Sequence, residues 1–542
     1  MVESPHESAL VDPAAVSPAR TRTGRLGGGD IGRCLTRLHH DRFTEAQLVE
    51  DAVRERTIAR GIAHEHAIVA MLETAYGATR DLSTVPFHEL TAATEAAMHG
   101  GVDLILGGRL EGPDGALVGM PDLLVRDHAG YLAVDVKGHK VVGSSGVEAS
   151  YAPLDDLLAS ATEAIRFRSM RRRDLLQVAH YRALLLEIGL ASPRPIGGII
   201  GTDDPLGCAW VDLEAGSRSI MEDHADFVAR AEETIAWGRA HARPLVEPWL
   251  KKECDTCPWR LVCLSALEQA DDPTLLRSVT GETRTMLRES GITTVSDVAD
   301  LDLESGLVEG SVILQARAQT ANTLLRRHGG TGGLPLPHAP IEVDLDIETF
   351  GDTTYLAGLL ITDSAGTRYE PIADWTNTPG GERDLLEQLF TRFALWARPE
   401  VIVYHWTGFE IDRLAAGADR HGLGVPGWGS VRDWFEANAV DLCDWTREHL
   451  VSPRGHGLKV IAPLCGFRWR DDDPGGLQSE MWFEELLDGN DDMRHRLLEY
   501  NEDDVIAQLR VREFLRASDS GPGPGSALAS VATWPLDRSP VS

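Results

Sequence analysis

Ile341, Val343, Leu345 and Ile347 alternate without a break with Glu342, Asp344, Asp346 and Glu348, and this period of two predicts a strand. Tyr131 to Lys137 alternates in the same way, placing Tyr131, Ala133, Asp135 and Lys137 on one face. Val401–Val403 is a short apolar run that reads as a buried strand leading into a helix that carries Glu410. Helical patterns lie at Leu175–Glu187, where Gln177 and Tyr181 share a face, and from Glu499 onward, where Tyr500 and Asp504 do. Arg60–Glu65 reads as the opening of a further helix. The stretch from Leu276 to Leu301 reads as two helices around Ser290-Gly291-Ile292.

These elements divide the chain into blocks. Residues 26–268 mix strand and helix patterns, 269–330 are helical, and 341–517 run from the alternating strand to a long amphipathic helix. A Gly/Pro-rich linker is expected at 331–340, and the Ser/Pro/Gly-rich ends, 1–25 and 518–542, are expected to be disordered. There is no internal repeat and no heptad run. The expected class is a multidomain α/β protein.

Composition narrows the class. The chain of 542 residues is 43% hydrophobic and 25% charged, the proportions of a globular protein. It has no apolar run of membrane-spanning length and no signal pattern at its start, so no membrane association and a cytoplasmic location are expected. Asp plus Glu number 84 against 52 Lys plus Arg, a formal charge of −32. A nucleic-acid partner therefore requires local basic surface. The densest basic stretch is Arg166–Arg173, and its Arg171, Arg172 and Arg173 are the candidate nucleic-acid contacts.

Candidate chemistry begins at Met120-Pro121-Asp122 and Asp135-Val136-Lys137. If Asp122 returns on a neighbouring hairpin strand, two carboxylates converge on an oxygen-donor site suited to Mg²⁺ or Mn²⁺. Lys137 then stabilises developing charge or positions the attacking water. His64 or Glu65 is placed to complete the metal shell. The string GIAHE…MPDLL…VDVK…QVAHY resembles the RecB-like branch of the PD-(D/E)XK nucleases. The resemblance implies metal ligation by His64 or Glu65 with Asp122 and Asp135, catalysis by Lys137, and a Gln177–Tyr181 pair beside the active site and DNA. Asp135 stands where the family often has Glu.

Cys254, Cys257 and Cys263 form a CxxC followed by a third cysteine, and Cys34 is the natural fourth ligand. Four thiolates suit zinc or a [4Fe–4S] cluster. One N-terminal and three C-terminal cysteines around a PD-(D/E)XK core resemble AddB-type and CRISPR-adaptation nucleases. That resemblance implies [4Fe–4S] in a structural role, stapling the two ends of the domain. Cys208, Cys443 and Cys465 have no such spacing and read as core residues. The 269–330 block resembles a helix-hairpin-helix-like module, whose backbone N–H groups hold a DNA phosphate; a plain helical spacer is the other reading.

Four like charges on one face of a strand repel unless metal or cations sit there. The order Asp346-x-Glu348, His405…Glu410, Tyr500-x-x-x-Asp504 resembles the ribonuclease H-like DEDD exonucleases. His405 and Glu410 depart from that family's second motif, and with Asp441-Leu442, Leu458-Lys459 and Tyr500-Asn501 they fit its YprB-like branch. The resemblance implies two Mg²⁺ or Mn²⁺ held by Asp346, Glu348, Glu410 and Asp504, with Tyr500 orienting the water. The longer Glu410 puts the second metal's geometry in question.

The expected function is a metal-dependent nuclease hydrolysing DNA phosphodiester bonds, as an exonuclease on single strands or ends, in repair, recombination or defence. The rivals are an RNA exonuclease working through the C-terminal block and a non-catalytic nucleic-acid-binding scaffold. No Walker A motif occurs, so a helicase partner would be a separate chain.

Overall fold

The computed structural model describes residues 24–45, 52–76, 79–158, 163–327, 336–471 and 476–517. The expected disordered ends lie outside these residues except for Gly24 and Arg25, and so does the first half of the 331–340 linker. The chain forms two compact units, Met1–Cys263 and Leu264–Ser542.

The first unit is built on a nine-stranded mixed sheet. Its interior strand Gly130–Val136 is buried at all seven positions. Tyr131 and Ala133 pack into the core formed with helix Arg172–Glu187, while Leu132, Val134 and Val136 pack on the opposite face with Ile68 and Leu72 of helix Ala52–Ala75. The period of two therefore aims Asp135 at helix Arg172–Glu187. Strand Leu123–Asp127 pairs antiparallel with it, Leu123 opposite Val134, so Asp122 arrives beside Asp135 as the alternation implies. Strand Ile196–Ile200 pairs parallel on the other side.

Helix Ala52–Ala75 corrects one expectation: Arg60–Glu65 lies in its interior rather than at its opening. Gly61 looks like a helix breaker, but it is where the helix meets the chain just after Lys137. A Cβ on Gly138 would stand at ordinary contact distance, 3.4 Å, from the Gly61 Cα, while one on Gly61 would meet nothing within 4 Å.

In the second unit a five-stranded sheet runs in the order Gly366–Ala373, Thr353–Asp363, Ile341–Phe350, Val401–His405, Ala439–Asp441. The first three strands form an antiparallel meander and the last two run parallel to Ile341–Phe350. The alternating strand is thus central, with both faces covered. Val343, Leu345 and Ile347 pack under helix Pro379–Trp396 through Leu385, Leu386, Leu389 and Phe393. The acidic face lies under helix Asp492–Ala517, which begins a full turn or more before the expected start at Glu499.

That helix resolves the repulsion along the strand in two ways. Arg512, fully buried, donates from Nε to Asp344 Oδ1 (2.8 Å) and reaches Glu342 and Asp344 with its other nitrogens, and Arg516 Nη2 reaches Glu342 Oε1 (2.6 Å). Asp346 and Glu348 receive no arginine among the described residues. The helical segment belongs to this unit. Its helices Gly281–Glu289, Val295–Ala299 and Gly310–Thr320 share a core of Leu287, Val298, Val312 and Ile313, and Leu325–Arg326 pairs antiparallel with Leu450–Val451. Gly291 takes a left-handed φ of 80° at the turn between the first two. No helix among the described residues is long and apolar enough to cross a membrane.

Candidate active sites

In the second unit, strand Ile341–Phe350 supplies Asp346 and Glu348, and the interior of helix Asp492–Ala517 supplies Asp504. One carboxylate oxygen from each of the three lies within 4.8 Å of the others. Each acid has its own donor. Asn501 Nδ2 donates to Asp346 Oδ2 (2.9 Å), Ser479 Oγ to Glu348 Oε2 (2.6 Å), and both Lys459 Nζ (2.7 Å) and Trp469 Nε1 (2.6 Å) to Asp504 Oδ1. Asn501 reaches Asp346 because residue 358, on the neighbouring strand, is glycine: a Cβ there would stand 1.7 Å from Asn501 Oδ1.

Burial and mutual repulsion raise the carboxyls. Asp346 is pushed well up by burial, then by Asp504, Glu348 and Glu410. Glu348 is pushed up to about 8 by burial and then by Asp504. Burial and the same acids raise the Tyr500 phenol, so it is neutral and serves as a hydrogen-bonding group. Lys459 Nζ donates to its oxygen (3.3 Å) and lies over the Tyr500 and Trp469 rings. Oxygen donors this close, two buried and one half-buried, with one ammonium on one of them, fit Mg²⁺ or Mn²⁺.

Glu410 stands slightly apart. It lies in the first turn of helix Gly408–His421, its charge acts on Asp346, and its Oε2 is 3.7 Å from His405 Nδ1. Burial pulls the His405 imidazole down, but the nearby charge of Glu410, with Asp441 and the Nδ1 hydrogen bond to the Thr407 carbonyl (2.7 Å), holds it above its ordinary range. The residues His405 and Glu410, which depart from the DEDD pattern, are thus partners.

In the first unit Asp122, Asp135, Lys137, Gln177 and Tyr181 form one network. Lys137 pairs with Asp135 and donates to Gln177 Oε1 (3.0 Å). Gln177 Nε2 donates to Asp135 Oδ1 (3.3 Å) and Tyr181 Oη (2.7 Å), and Tyr181 Oη donates to Asp135 Oδ1 (3.4 Å). Asp122 accepts from the Val136 N–H (2.6 Å) and is raised by burial, then by Asp135 and Glu65. Glycine makes room for Tyr181, since a Cβ on Gly28 or Gly119 would come within 2.7 Å of its ring.

The two candidate helix ligands separate. His64 Nε2 bonds the Gly201 carbonyl (3.2 Å), whereas Glu65 is raised by burial and senses Asp135 and Lys137. Of the basic cluster, Arg172 pairs with Asp223, and Arg173 donates to the Ile31 (3.4 Å) and Gly29 (3.3 Å) carbonyls. Arg171 Nε has no hydrogen-bond partner among the described residues.

Cys34, at the start of helix Leu35–Phe43, lies near enough to Cys254, Cys257 and Cys263 for their charges to act on one another. Burial and the other three sulfurs push the Cys263 thiol up to about 12. Trp259 ties the segments together: its Nε1 donates to Asp41 Oδ1 (2.5 Å) and its ring stacks on His40. Four thiols drawn from the two ends of the unit are the donor chemistry of a centre that binds thiolates. Cys208 and Cys443 are buried and Cys465 half-buried.

Sequence reasoning passed over Trp469 and Ser479, and took Lys459 only as a mark of resemblance. Each comes from a segment without periodic signal, so only the fold assigns it a carboxylate.

Residues 343–516 match the family model described as the RNase H superfamily. The matched region holds Asp346, Glu348, Glu410, Lys459 and Asp504, and it is a ribonuclease H-like domain, a type that suggests nuclease activity on nucleic acid. No curated protein matches the chain.

Proposed function

We propose that the chain is a metal-dependent nuclease with two hydrolytic centres, acting on DNA strands or ends. The observation that carries this is the approach of Asp346, Glu348 and Asp504 oxygens to within 4.8 Å in a ribonuclease H-like domain. These three acids, with Glu410 beside them, would hold a divalent cation, which when bound would supply positive charge to the scissile phosphate and lower the pKa of the attacking water. The neutral Tyr500 phenol orients that water. Lys459, anchored on Asp504, offers its remaining N–H groups to phosphate oxygen.

The network in the first unit supports a second centre of the PD-(D/E)XK kind. Asp122, Asp135 and Glu65 are its metal ligands, since the His64 ring is engaged by Gly201. Lys137, held between Asp135 and Gln177, stabilises developing charge on the phosphate. Cys34, Cys254, Cys257 and Cys263 hold a [4Fe–4S] cluster that keeps the unit's distant segments together.

The test is hydrolysis of end-labelled single- and double-stranded DNA and RNA with Mn²⁺ or Mg²⁺, by protein purified without oxygen. Wild type is compared with Lys137→Ala and Asp346→Ala. Each variant is expected to lose the part of the activity that belongs to its centre, with DNA cut in preference to RNA. Activity unchanged in both variants, or no cleavage of any substrate by intact protein, defeats the proposal. RNA-only cleavage abolished by Asp346→Ala moves the function to an RNA exonuclease.

A further inference from the structure

The net charge of −32 leaves open where a polyanion is gripped. The second unit contains a cavity of about 400 Å³ lined by Arg277, Arg327, Arg447 and His456, with no carboxylate among its lining residues. This is an unusual composition in a chain with 84 acids and 52 Lys plus Arg. The three arginines line one cavity with His456, and beyond its burial their charges hold His456 down to about 4. Three arginines and a histidine lining one cavity, with only Arg447 paired to a carboxylate, Asp444, among the described residues, favour an anion there.

A second feature points the same way. Ser452 lines the cavity, is 4% exposed, and its hydroxyl has no hydrogen-bond partner among the described residues. A buried hydroxyl without a partner is costly, and a phosphate oxygen would satisfy it. The rest of the site is anchored. Arg327 donates to the Arg447 (3.1 Å) and Leu450 (3.3 Å) carbonyls, and the His456 carbonyl accepts from Trp406 Nε1 (3.1 Å). Arg447 also holds Asp444 (2.6 Å), outside the lining. Gly455, at φ +117°, lets Arg277 lie close: a Cβ there would stand 3.3 Å from its Nη1.

The cavity's position suggests which phosphate it takes. His456 precedes Lys459 by three residues, so their Cα atoms are within about 11 Å. Lys459 is the residue on Asp504. We propose that the Arg277–Arg327–Arg447 cavity, with the Ser452 hydroxyl, binds a backbone phosphate of the nucleic-acid strand a few nucleotides from the bond cut at Asp346, Glu348 and Asp504. This rests on the nuclease reading for the strand's identity, but not for the anion's charge.

The experiment measures binding of a fluorescent single-stranded DNA to the full chain in EDTA, across a salt series. It compares wild type, Arg277→Gln and Ser452→Ala, with inorganic phosphate as competitor. Arg277→Gln is expected to weaken binding about five- to tenfold and to lower the salt slope by about 0.7, the value of one single-strand phosphate contact. Ser452→Ala should weaken binding a fewfold without lowering the melting temperature, since it removes a hydroxyl that lacks a partner. Phosphate should compete with DNA on wild type and not on Arg277→Gln.

Unchanged affinity and slope in both folded variants overturn the cavity as an anion site. Phosphate-induced thermal stabilisation that Arg277→Gln removes, with DNA binding untouched, overturns the strand assignment in favour of free phosphate. Arg277-dependent DNA binding by a wild type that cuts nothing upholds the cavity while the nuclease reading fails.

Discussion

Glu348 provides a direct test of whether the three acids are built around a cation. Its carboxyl is displaced from an ordinary 4.5 to about 8, by burial first and then by Asp504. In the unfolded chain the same group releases its proton near 4.5, so between 4.5 and about 8 the folded state keeps a proton that the unfolded state has lost. Its contribution to stability is complete below 4.5 and is lost as pH rises through 8. One proton is worth about 1.4 kcal/mol per pH unit, which sums to about 5 kcal/mol across the window. The assay is thermal and urea unfolding of the full chain in EDTA at a series of pH values across that window, repeated with Mn²⁺. The transition that involves the second unit should weaken steadily with rising pH in EDTA, and Mn²⁺ should restore it most at the alkaline end. Glu348→Gln should make the EDTA profile shallower, with Asp346 still contributing, and reduce the response to Mn²⁺. A flat EDTA profile in wild type, or a Mn²⁺ response that Glu348→Gln leaves whole, refutes the reasoning.

Three further outcomes are expected. Arg512→Leu strands the fully buried Asp344 and should cost roughly 3–5 kcal/mol in urea unfolding, most of it recovered by adding Asp344→Leu; a single variant as stable as wild type defeats this account. Gly358→Ala drives a methyl into Asn501, freeing Asp346 from its donor, and should lower cleavage by the second unit at least tenfold while Lys137-dependent cleavage persists; equal loss of both activities would mean general misfolding instead. Cys34→Ser should abolish visible absorbance and bound iron in anaerobically purified protein and expose the first unit to proteolysis; a variant that keeps its iron removes Cys34 from the ligand set.

Residues whose partners share a local period were legible in the sequence. Asp135 with Lys137, Gln177 with Tyr181, and Tyr500 with Asp504 each share a face at strand or helix spacing, and the structure brings each pair together. Asp122 was legible through the hairpin that its spacing from Asp135 allows. The long-range answers to local problems were not. Four acids alternate along Ile341–Phe350, but only the fold shows that Arg512 and Arg516, about 170 positions away, neutralise the first two and leave the last two for Asp504. Likewise only the fold shows that His64 bonds the Gly201 carbonyl while Glu65 senses Asp135 and Lys137. Helix starts were misplaced at Arg60 and Glu499 because neither has a cap signal and the helices extend further upstream. The arginine cavity draws on positions 277, 327 and 447, which no window of sequence contains.

Helix Asp492–Ala517 touches strand Ile341–Phe350 at successive points: Asn501 on Asp346, Gln508 on the Leu345 carbonyl, Arg512 on Asp344 and Arg516 on Glu342. The two elements mesh like opposed racks. Inserting one residue between Asp504 and Arg512 turns everything beyond it by about 100° and advances it about 1.5 Å. Depending on which side of the insertion stays seated, the strand loses either Arg512 and Arg516 or Tyr500, Asn501 and Asp504. This stretch therefore tolerates changes of residue far better than changes of length. The turn at Asp363–Gly366, which meshes with nothing on the helix, is where the same domain can gain or lose residues.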